Sequence, residues 1–171
     1  MGPVIVMGVS GCGKSSIGAA LGERLGLPYI EGDRLHPASN IAKMSAGIAL
    51  DDADRWPWLD EIGHALAAGG GGAVASCSAL KRAYRDRLRS AAGRDLRFVF
   101  LELTRIELER RMSLRTGHFM PATLLDSQLA TLEPPAGEAG VLVLDGAAAL
   151  DDIVVAAASW LLGTTPEESP S

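Results

Sequence analysis

The residues with the clearest chemistry form a glycine-rich loop near the start of the chain. The stretch Gly8-Val9-Ser10-Gly11-Cys12-Gly13-Lys14-Ser15 follows an apolar run at 3–7 and precedes a helical pattern at 15–25. Glycines let a backbone turn tightly and leave its amides open to an anion, and a helix N-terminus adds to the attraction for phosphate. We therefore predict that this loop, with Ser16 after it, binds a nucleotide. A plain turn is the alternative, but a turn has no need of the Lys-Ser pair.

Individual side chains of this loop have separate predicted roles. Lys14 can reach the β- and γ-phosphates, and Ser15 can place its hydroxyl on Mg²⁺. Cys12 lies in an electropositive loop, where a thiol can become reactive. We interpret Cys12 instead as a small residue at a variable position of the loop.

Asp33 is the predicted general base. It follows the second predicted strand, beside the strand that leads into the phosphate loop. A carboxylate there can accept a proton from an attacking hydroxyl or hold a water of Mg²⁺. A helix cap or a turn aspartate is the alternative. Glu31, two residues earlier, is not predicted to be the base.

Basic residues are concentrated in one segment of an otherwise acidic chain. Lys81 and Arg85 share one helical face within the basic stretch 78–87. A solvated surface explains part of this charge, and the remainder can bind an acidic small molecule near the γ-phosphate. Arginine suits that task because its guanidinium forms two parallel bonds with a carboxylate.

Two further arginines predict a lid at about 115–121. Arg111 and Arg115 are one helical turn apart, just before a glycine-containing loop. A lid carrying these cations can exclude water and stabilise the charge of a phosphoryl group in transfer. Surface ion pairs with Glu107 and Glu109 are the alternative interpretation.

Strands and helices alternate along the chain, which predicts a parallel sheet covered by helices on both faces. We expect one α/β domain at 1–162, with a substrate-side segment at about 33–60, and a disordered tail at 163–171. Ligands bind at the carboxyl ends of strands in such sheets, where the phosphate loop and the stretches 31–33, 76–78 and 145–146 fall. The predicted strands are 3–7, 27–30, 73–77, 96–103 and 141–144, and the predicted helices are 15–25, 36–44, 56–68, 80–92, 104–114, 122–132 and 150–162.

Composition narrows the class of protein. The hydrophobic fraction of 47% and charged fraction of 22% are typical of a globular chain, and the net charge of −5 argues against nonspecific nucleic-acid binding. The two cysteines lack metal-ligand spacing. Neither a signal-peptide pattern nor an apolar run of roughly 20 residues is present, so we expect a cytoplasmic enzyme without a membrane partner.

The phosphate loop also serves GTPases and motor ATPases. A switch GTPase would need an Asn-Lys-x-Asp segment, which the sequence lacks, and Ser76 and Ser78 stand where many ATPases hold Mg²⁺ through an acidic residue. The small size, Asp33 and the predicted arginine lid favour a phosphoryl transferase acting on a small molecule. A nucleotide-dependent binding module is the competing class.

Several sequence blocks beyond the phosphate loop are more specific, and on them the chain resembles the gluconate kinases (gluconokinases), relatives of shikimate and nucleoside monophosphate kinases. The chain departs from the familiar pattern at Cys12, where serine is common, at Glu31, where aspartate is familiar, and at Leu129, which replaces a usual phenylalanine. The blocks are Glu31-Gly32-Asp33-Arg34-Leu35-His36-Pro37, Asn40-Ile41-Ala42-Lys43-Met44, residues 50–59, Cys77-Ser78-Ala79-Leu80-Lys81, Tyr84-Arg85-Asp86, Gly117-His118-Phe119-Met120, Ser127-Gln128 and Leu132-Glu133-Pro134.

The resemblance implies a P-loop NTPase fold, a three-layer α/β/α sandwich with a five-stranded parallel sheet. It also implies Mg²⁺-dependent transfer of the γ-phosphate of ATP to the six-position hydroxyl of D-gluconate, giving 6-phosphogluconate, and a possible homodimer. Shikimate kinase is the nearest alternative and adenylate kinase a weaker one. The expected catalytic residues are Asp33, Lys14, Arg111 and Arg115, the expected metal ligands are Ser15 and Asp33, and the expected substrate ligands are Asp33, His36, Lys43, Arg55, Ser78, Lys81, Arg85 and His118.

Overall fold

A five-stranded parallel sheet forms the centre of the molecule. The computed structural model describes residues 1–114 and 122–164, except the side chains of 122 and 123. The first strand is central, because the third and fourth strands pair with it on opposite sides. The first strand therefore lies at the point where the strand order reverses. Open α/β sheets bind ligands at the carboxyl ends of the strands at such a point, and the loop after the first strand lies there. The strands are β1 (Val4–Met7), β2 (Tyr29–Glu31), β3 (Val74–Ser76), β4 (Arg97–Glu102) and β5 (Val141–Asp145), in the spatial order β2-β3-β1-β4-β5.

Helices cover both faces of the sheet and complete the three predicted layers. Four of them, α1, α5, α6 and α7, contribute to the core cluster on one face, and α3 and α4 form the cluster on the other. The helices are α1 (Lys14–Leu25), α2 (Ala38–Ser45), α3 (Asp52–Ala68), α4 (Arg82–Ala92), α5 (Arg105–Ser113), α6 (Ala122–Thr131) and α7 (Leu150–Leu162), with a short 3₁₀ helix at Gly32–Leu35.

Burial on both faces of the sheet explains why the central strand, β1, consists only of apolar residues. All four residues of β1 are fully buried, with Val4 and Val6 in one core cluster and Ile5 and Met7 in the other. Alternate residues of a strand point to opposite faces of its sheet, so a strand covered on both faces must be apolar throughout. The phosphate loop thus begins at the end of a fully buried strand.

The start of α3 at Asp52 differs from the predicted start of this helix at residue 56. Asp51 caps this helix by accepting from the amide of Asp54, and the Asp54 carboxylate accepts from the amide of Asp51 in return. This reciprocal capping box starts the helix at Asp52. Pro57 therefore lies inside the helix.

The C-terminal helix ends where it was predicted to end. Gly163 follows α7 with a φ of 67°, a left-handed conformation that suits glycine after a helix. Residues 165–171, most of the predicted tail, lie outside the described residues. Within the described parts of the chain, none of the helices is long and apolar enough to cross a bilayer.

Candidate active site

The phosphate loop connects β1 to α1 and has the backbone of an anion cradle. Gly8, Gly11 and Gly13 have φ angles of 147°, 86° and 94°, which side chains rarely allow. A Cβ at Gly8 would lie 2.7 Å from the sulfur of Cys12, so the loop is also tightly packed. Gly13 is the N-cap of α1, and having no side chain it leaves the first amides of the helix open to a ligand. Phosphate oxygens fit this arrangement.

Two side chains of the loop differ sharply in exposure. Cys12 is buried, and burial raises the pKa of its thiol, although nearby Lys14 and Arg111 oppose that rise. Cys12 is therefore a packed thiol. Lys14 donates from Nζ to the carbonyl of Val9 at 3.2 Å, so its ammonium lies over the loop.

Arg111 joins the phosphate loop to the loop that follows β5. Its Nη1 donates to the carbonyl of Cys12 at 3.3 Å, and its Nη2 donates to the carbonyl of Gly146 at 2.8 Å. Its Nε donates to Glu107 at 3.2 Å, so the ion pair considered as an alternative is formed as well. The guanidinium thus places a fixed positive charge beside the cradle.

A carboxylate to which the sequence analysis assigned no role, that of Glu31, lies beside Ser15. Glu31 is paired in register with Ser76, whose hydroxyl donates to Oε1 of Glu31 at 2.9 Å, while the hydroxyl of Tyr29 donates to Oε2 at 2.8 Å. Burial alone would raise the pKa of Glu31, but hydrogen bonds from Ser15, Tyr29 and Ser76 outweigh it and lower the pKa. Glu31 is therefore ionised at neutral pH. The register of Ser76 opposite Glu31 is a tertiary fact that spacing along the chain does not reveal.

These oxygen atoms fit a magnesium ion. Ser15 and Asp33 are exposed and Glu31 is partly exposed, and all three present the hard oxygen ligands that Mg²⁺ prefers. In the described parts of the chain, no three His, Cys, Asp or Glu side chains group closely enough to hold a metal by themselves. Mg²⁺ usually takes few protein ligands and completes its shell with water and substrate phosphates, so this donor set suits it.

Asp33 is held in the first turn of the 3₁₀ helix by its neighbour Gly32. A Cβ at Gly32 would lie 2.1 Å from the carbonyl oxygen of Ser76, so only glycine permits this approach of β2 to β3. The indole of Trp58 donates to the carbonyl of Gly32 at 2.8 Å and fixes the same turn from α3. The position of the Asp33 backbone therefore follows from packing.

Lys14 and Asp33 both influence the end of β3. Burial raises the pKa of the Cys77 thiol to about 12, while the charge of Lys14 lowers it and the charge of Asp33 raises it further. Both charges therefore lie within electrostatic range of one buried group at the carboxyl edge of the sheet. The phosphate loop and the predicted base follow β1 and β2, so both lie at this edge of the parallel sheet.

His36 is held against Trp58 in a defined state. The two rings stack with centroids 4.1 Å apart and planes 13° from parallel. The buried amide of Asn40 lies 3.2 Å from Nδ1 of His36 and donates to it, so the proton of the neutral imidazole is on Nε2. Burial, and to a lesser degree Arg55, lowers the pKa of His36 despite the opposing charge of Asp33. His36 can donate one hydrogen bond to a sugar hydroxyl at neutral pH.

Lys43 is bound to Asp54. Its Nζ lies 2.9 Å and 2.8 Å from the two carboxylate oxygens of Asp54, in the capping box of α3. The backbone carbonyl of Asp54 also accepts from Asn40 at 2.9 Å. These contacts fasten α2 to the start of α3, and Lys43 serves that connection in the structure.

Arg55 and Lys81 are brought together with Tyr84 and Asp52. The hydroxyl of Tyr84 lies 2.5 Å from Oδ1 of Asp52 and accepts from Nη1 of Arg55 at 3.2 Å. Nζ of Lys81 lies 3.4 Å from the same Oδ1. Two predicted substrate ligands therefore meet in one cluster, together with two residues that the sequence analysis did not single out.

Arg85 has no donor left for a substrate, which corrects its predicted role. Its side chain is buried, and each of its five N–H groups has an acceptor within the protein. Nε and Nη2 bind Glu138 at 3.2 and 2.6 Å, and Nη2 also donates to the carbonyl of Glu133 at 2.9 Å. Nη1 donates to the carbonyls of Ala79 and Leu80 at 2.8 and 3.2 Å. The sequence analysis placed Arg85 and Lys81 on one helical face, and that spacing does not show that the side chain of Arg85 is buried.

The turn that Arg85 holds is strained. Ala79 has a φ of 47°, and no other non-glycine residue of the described chain has a positive φ. The turn also contains Ser78, whose carbonyl accepts from the amide of Gly8 at 3.3 Å. Strained backbone conformations cluster at functional sites, and this one links the phosphate loop to Lys81. Arg85 therefore supports the site without lining it.

Gln128 connects α6 to the phosphate loop. Its side-chain oxygen accepts from the amide of Ser10 at 2.7 Å, and its nitrogen donates to the Ser10 hydroxyl at 2.9 Å. The Ser127-Gln128 block was noted in the sequence, but a contact across more than a hundred residues has no local signal. Arg115, His118 and the predicted lid at about 115–121 lie outside the described residues.

Comparisons with known proteins identify proteins similar to this chain. A family model described as an AAA domain matches residues 4–135. The gluconokinase of Gluconobacter oxydans is 50% identical over 149 residues, covering 84% of this chain and 82% of that protein. The thermosensitive gluconokinase of Escherichia coli is 43% identical, covering 82% and 77%. The crystal structure of a gluconokinase from Sinorhizobium meliloti superposes with a TM-score of 0.87 at 54% identity, covering 95% of this chain and 92% of that one.

Proposed function

The chain belongs to the gluconokinase family of P-loop kinases, and we propose that Asp33 is the base that prepares its substrate for reaction. The enzyme phosphorylates D-gluconate with ATP, and it uses Mg²⁺. The proposed acceptor is the six-position hydroxyl of the sugar acid, so the product is 6-phospho-D-gluconate. The observation that carries the role of Asp33 is its place in the 3₁₀ helix that directly follows β2, at the same carboxyl edge of the parallel sheet as the phosphate loop after β1.

In the proposed reaction, Asp33 accepts the proton of the six-position hydroxyl as the oxygen attacks the γ-phosphorus. The new O–P bond forms while the bond from that phosphorus to the bridging oxygen of ADP breaks. Phosphoryl transfer depends chiefly on alignment and on stabilisation of charge at the phosphoryl oxygens. The open amides of the phosphate loop, Lys14 and the fixed guanidinium of Arg111 supply that stabilisation. Mg²⁺, when bound, neutralises phosphate charge, and Ser15 and Asp33 are its proposed ligands, with Glu31 beside them.

The acceptor surface is proposed to consist of side chains that retain free donors. His36 offers Nε2–H, and Arg55 and Lys81 offer positive charge. Ser78 lies on the turn next to the phosphate loop. Lys43 is proposed to act only through Asp54, and Arg85 only through the turn that it supports. Arg115 and His118 keep their sequence-based roles as phosphoryl and substrate ligands.

Turnover tests the proposed base directly. Wild-type enzyme with ATP, Mg²⁺ and D-gluconate should release ADP and 6-phosphogluconate, and shikimate should give no comparable rate. Asp33→Asn should lower kcat by about a hundredfold or more, the usual contribution of a general base, while ATP affinity changes little. Arg34→Gln is a matched control, because this exposed neighbour has no assigned role. An Asp33→Asn enzyme that turns over at the full rate would dismiss the role of Asp33.

Two further features remain proposals. The cytoplasm is the proposed compartment, in keeping with two buried free cysteines. A homodimer is proposed from the family resemblance alone, and light scattering after size-exclusion chromatography would measure its mass. A monomer at working concentration would exclude it.

A further inference from the structure

The cluster around Tyr84 gathers two cations about one carboxylate oxygen. Oδ1 of Asp52 lies 2.5 Å from the hydroxyl of Tyr84, 3.4 Å from Nζ of Lys81 and 3.7 Å from Nη1 of Arg55. These four residues, the Tyr84 cluster, connect the first turn of α3 to the start of α4. The contacts of Oδ1 are those of a carboxylate bound in an anion site.

The ring of Tyr84 forms the floor of this cluster. Arg55 and Lys81 each lie 5.5 Å from the centroid of the ring, and only 3% of Tyr84 is exposed. The two cationic side chains retain exposures of 29% and 34%, and Asp52 retains 46%. The charged side of the cluster therefore faces solvent, and a second carboxylate can reach the same cations.

Asp52 takes no part in the capping box of its helix. The cap of α3 is supplied by Asp51 and Asp54, and the carboxylate of Asp54 is bound by Lys43. Hydrogen bonding from Tyr84, followed by the charges of Lys81 and Arg55, lowers the pKa of Asp52. Burial and Asp52 raise the pKa of Tyr84 to about 12. Asp52 is therefore a carboxylate, and Tyr84 a neutral donor, at working pH.

We propose that Arg55 and Lys81 form the subsite for the carboxylate of the sugar acid, and that Asp52 sets its selectivity by competing for the same two cations. This inference rests on the proposed function and specifies which end of the acceptor the cluster recognises. Two cations and one aspartate leave a single net positive charge, which one substrate carboxylate balances. A neutral polyol derivative gains nothing from the subsite.

The test compares D-gluconate with D-gluconamide, in which an uncharged amide replaces the carboxylate. In Asp52→Asn the two cations lose their internal competitor, while the amide oxygen still accepts from Tyr84. The KM for gluconate should fall about three- to tenfold, as expected for one partly screened charge, and this fall should exceed any change in the KM for gluconamide. A KM for gluconate that stays constant or rises, or an equal change for both acceptors, would overturn the proposal.

Asp60→Asn is the matched control. Asp60 lies on the same helix and forms an equivalent pair with Arg87 at 2.7 Å, so this change alters net charge equally without touching the cluster. Both acceptors should keep their kinetic constants in the control. A fall in the gluconate KM of the control equal to that of Asp52→Asn would assign the effect to overall charge and overturn the subsite.

A second variant removes one of the two cations of the subsite. Arg55→Gln should raise the KM for gluconate at least tenfold and leave gluconamide almost unaffected, whereas an equal loss for both acceptors would contradict the assignment. Wild-type turnover of gluconate reports separately on the proposed function. If that turnover were absent, calorimetric binding of gluconate to the same variants would still confirm or overturn the carboxylate subsite.

Discussion

Replacing Arg85 by methionine is expected to destabilise the fold by about 3–5 kcal/mol, the usual effect of removing one partner from a buried ion pair. The change leaves Glu138 with Arg89 as its remaining cation, at 3.2 Å. It also removes the donors to the carbonyls of Ala79, Leu80 and Glu133. A domain of ordinary stability has about 5–15 kcal/mol in total, so the variant should still fold, with a Tm lower by about 6–20 °C.

Urea unfolding measured at neutral pH is the assay, with equal m-values required for the comparison. Arg87→Met is the control, because Arg87 lies on the same helix but its pair with Asp60 is exposed, and its loss should change stability by less than about 1 kcal/mol. Arg85→Met combined with Glu138→Leu should regain part of the loss, since no unpaired buried charge remains. A loss below about 1 kcal/mol in Arg85→Met would refute the structural role assigned to this residue.

Arg85→Lys separates the support of the turn from the stability of the fold. Lysine keeps the charge beside Glu138 but has three donors where arginine has five. The strained turn at Ala79 should loosen, and the KM for gluconate should rise more than the KM for ATP. An equal rise in both constants would show that the turn does not control the acceptor side.

Three smaller perturbations test other parts of the site. Gly32→Ala should destabilise by about 2–3 kcal/mol in urea unfolding, because the new Cβ would lie 2.1 Å from the Ser76 carbonyl oxygen; wild-type stability would contradict this packing. The pKa of His36 in the folded protein is lowered below 6.5. The free energy of unfolding should therefore fall as the pH drops from about 6.5 through that lowered pKa, and His36→Gln should flatten this dependence. Parallel curves of unfolding free energy against pH for the wild type and the variant would contradict it. Gln128→Leu removes both bonds to Ser10 and should raise the KM for ATP about three- to tenfold with the gluconate KM unchanged, whereas a change confined to gluconate would assign Gln128 to the acceptor side.

Local patterns were sufficient to predict the fold and the phosphate loop. The five parallel strands, the alternating helices and the kinase family were predicted and are confirmed. The strands and helices depend on apolar runs and on helix spacing, and the phosphate loop on residues that are adjacent in the chain. The kinase family was predicted from the resemblance of several further sequence blocks. The predicted start of α3 at residue 56 was wrong by a few residues, since the helix begins at Asp52. The capping box of Asp51 and Asp54 was not recognised as a helix start.

The missed parts of the site depend on contacts between distant elements. The register of β2 with β3 positions Glu31 beside Ser15. Gln128 binds Ser10 from α6, which is distant in the sequence. The sequence analysis treated Arg85 and Lys81 alike, because both are basic and share a helical face. Burial separates the two residues, and burial of one arginine is decided by partners such as Glu138, more than fifty residues away.

The central claim is that the phosphate loop and Asp33 face the two reacting groups at once. A crystal structure with Mg²⁺, D-gluconate and a non-hydrolysable ATP analogue measures this directly. The six-position oxygen should lie about 2.6–3.2 Å from a carboxylate oxygen of Asp33, with the triphosphate in the glycine loop and Lys14 on its β- and γ-oxygens. A sugar acid bound far from Asp33, or a triphosphate away from Lys14, would contradict the proposed reaction.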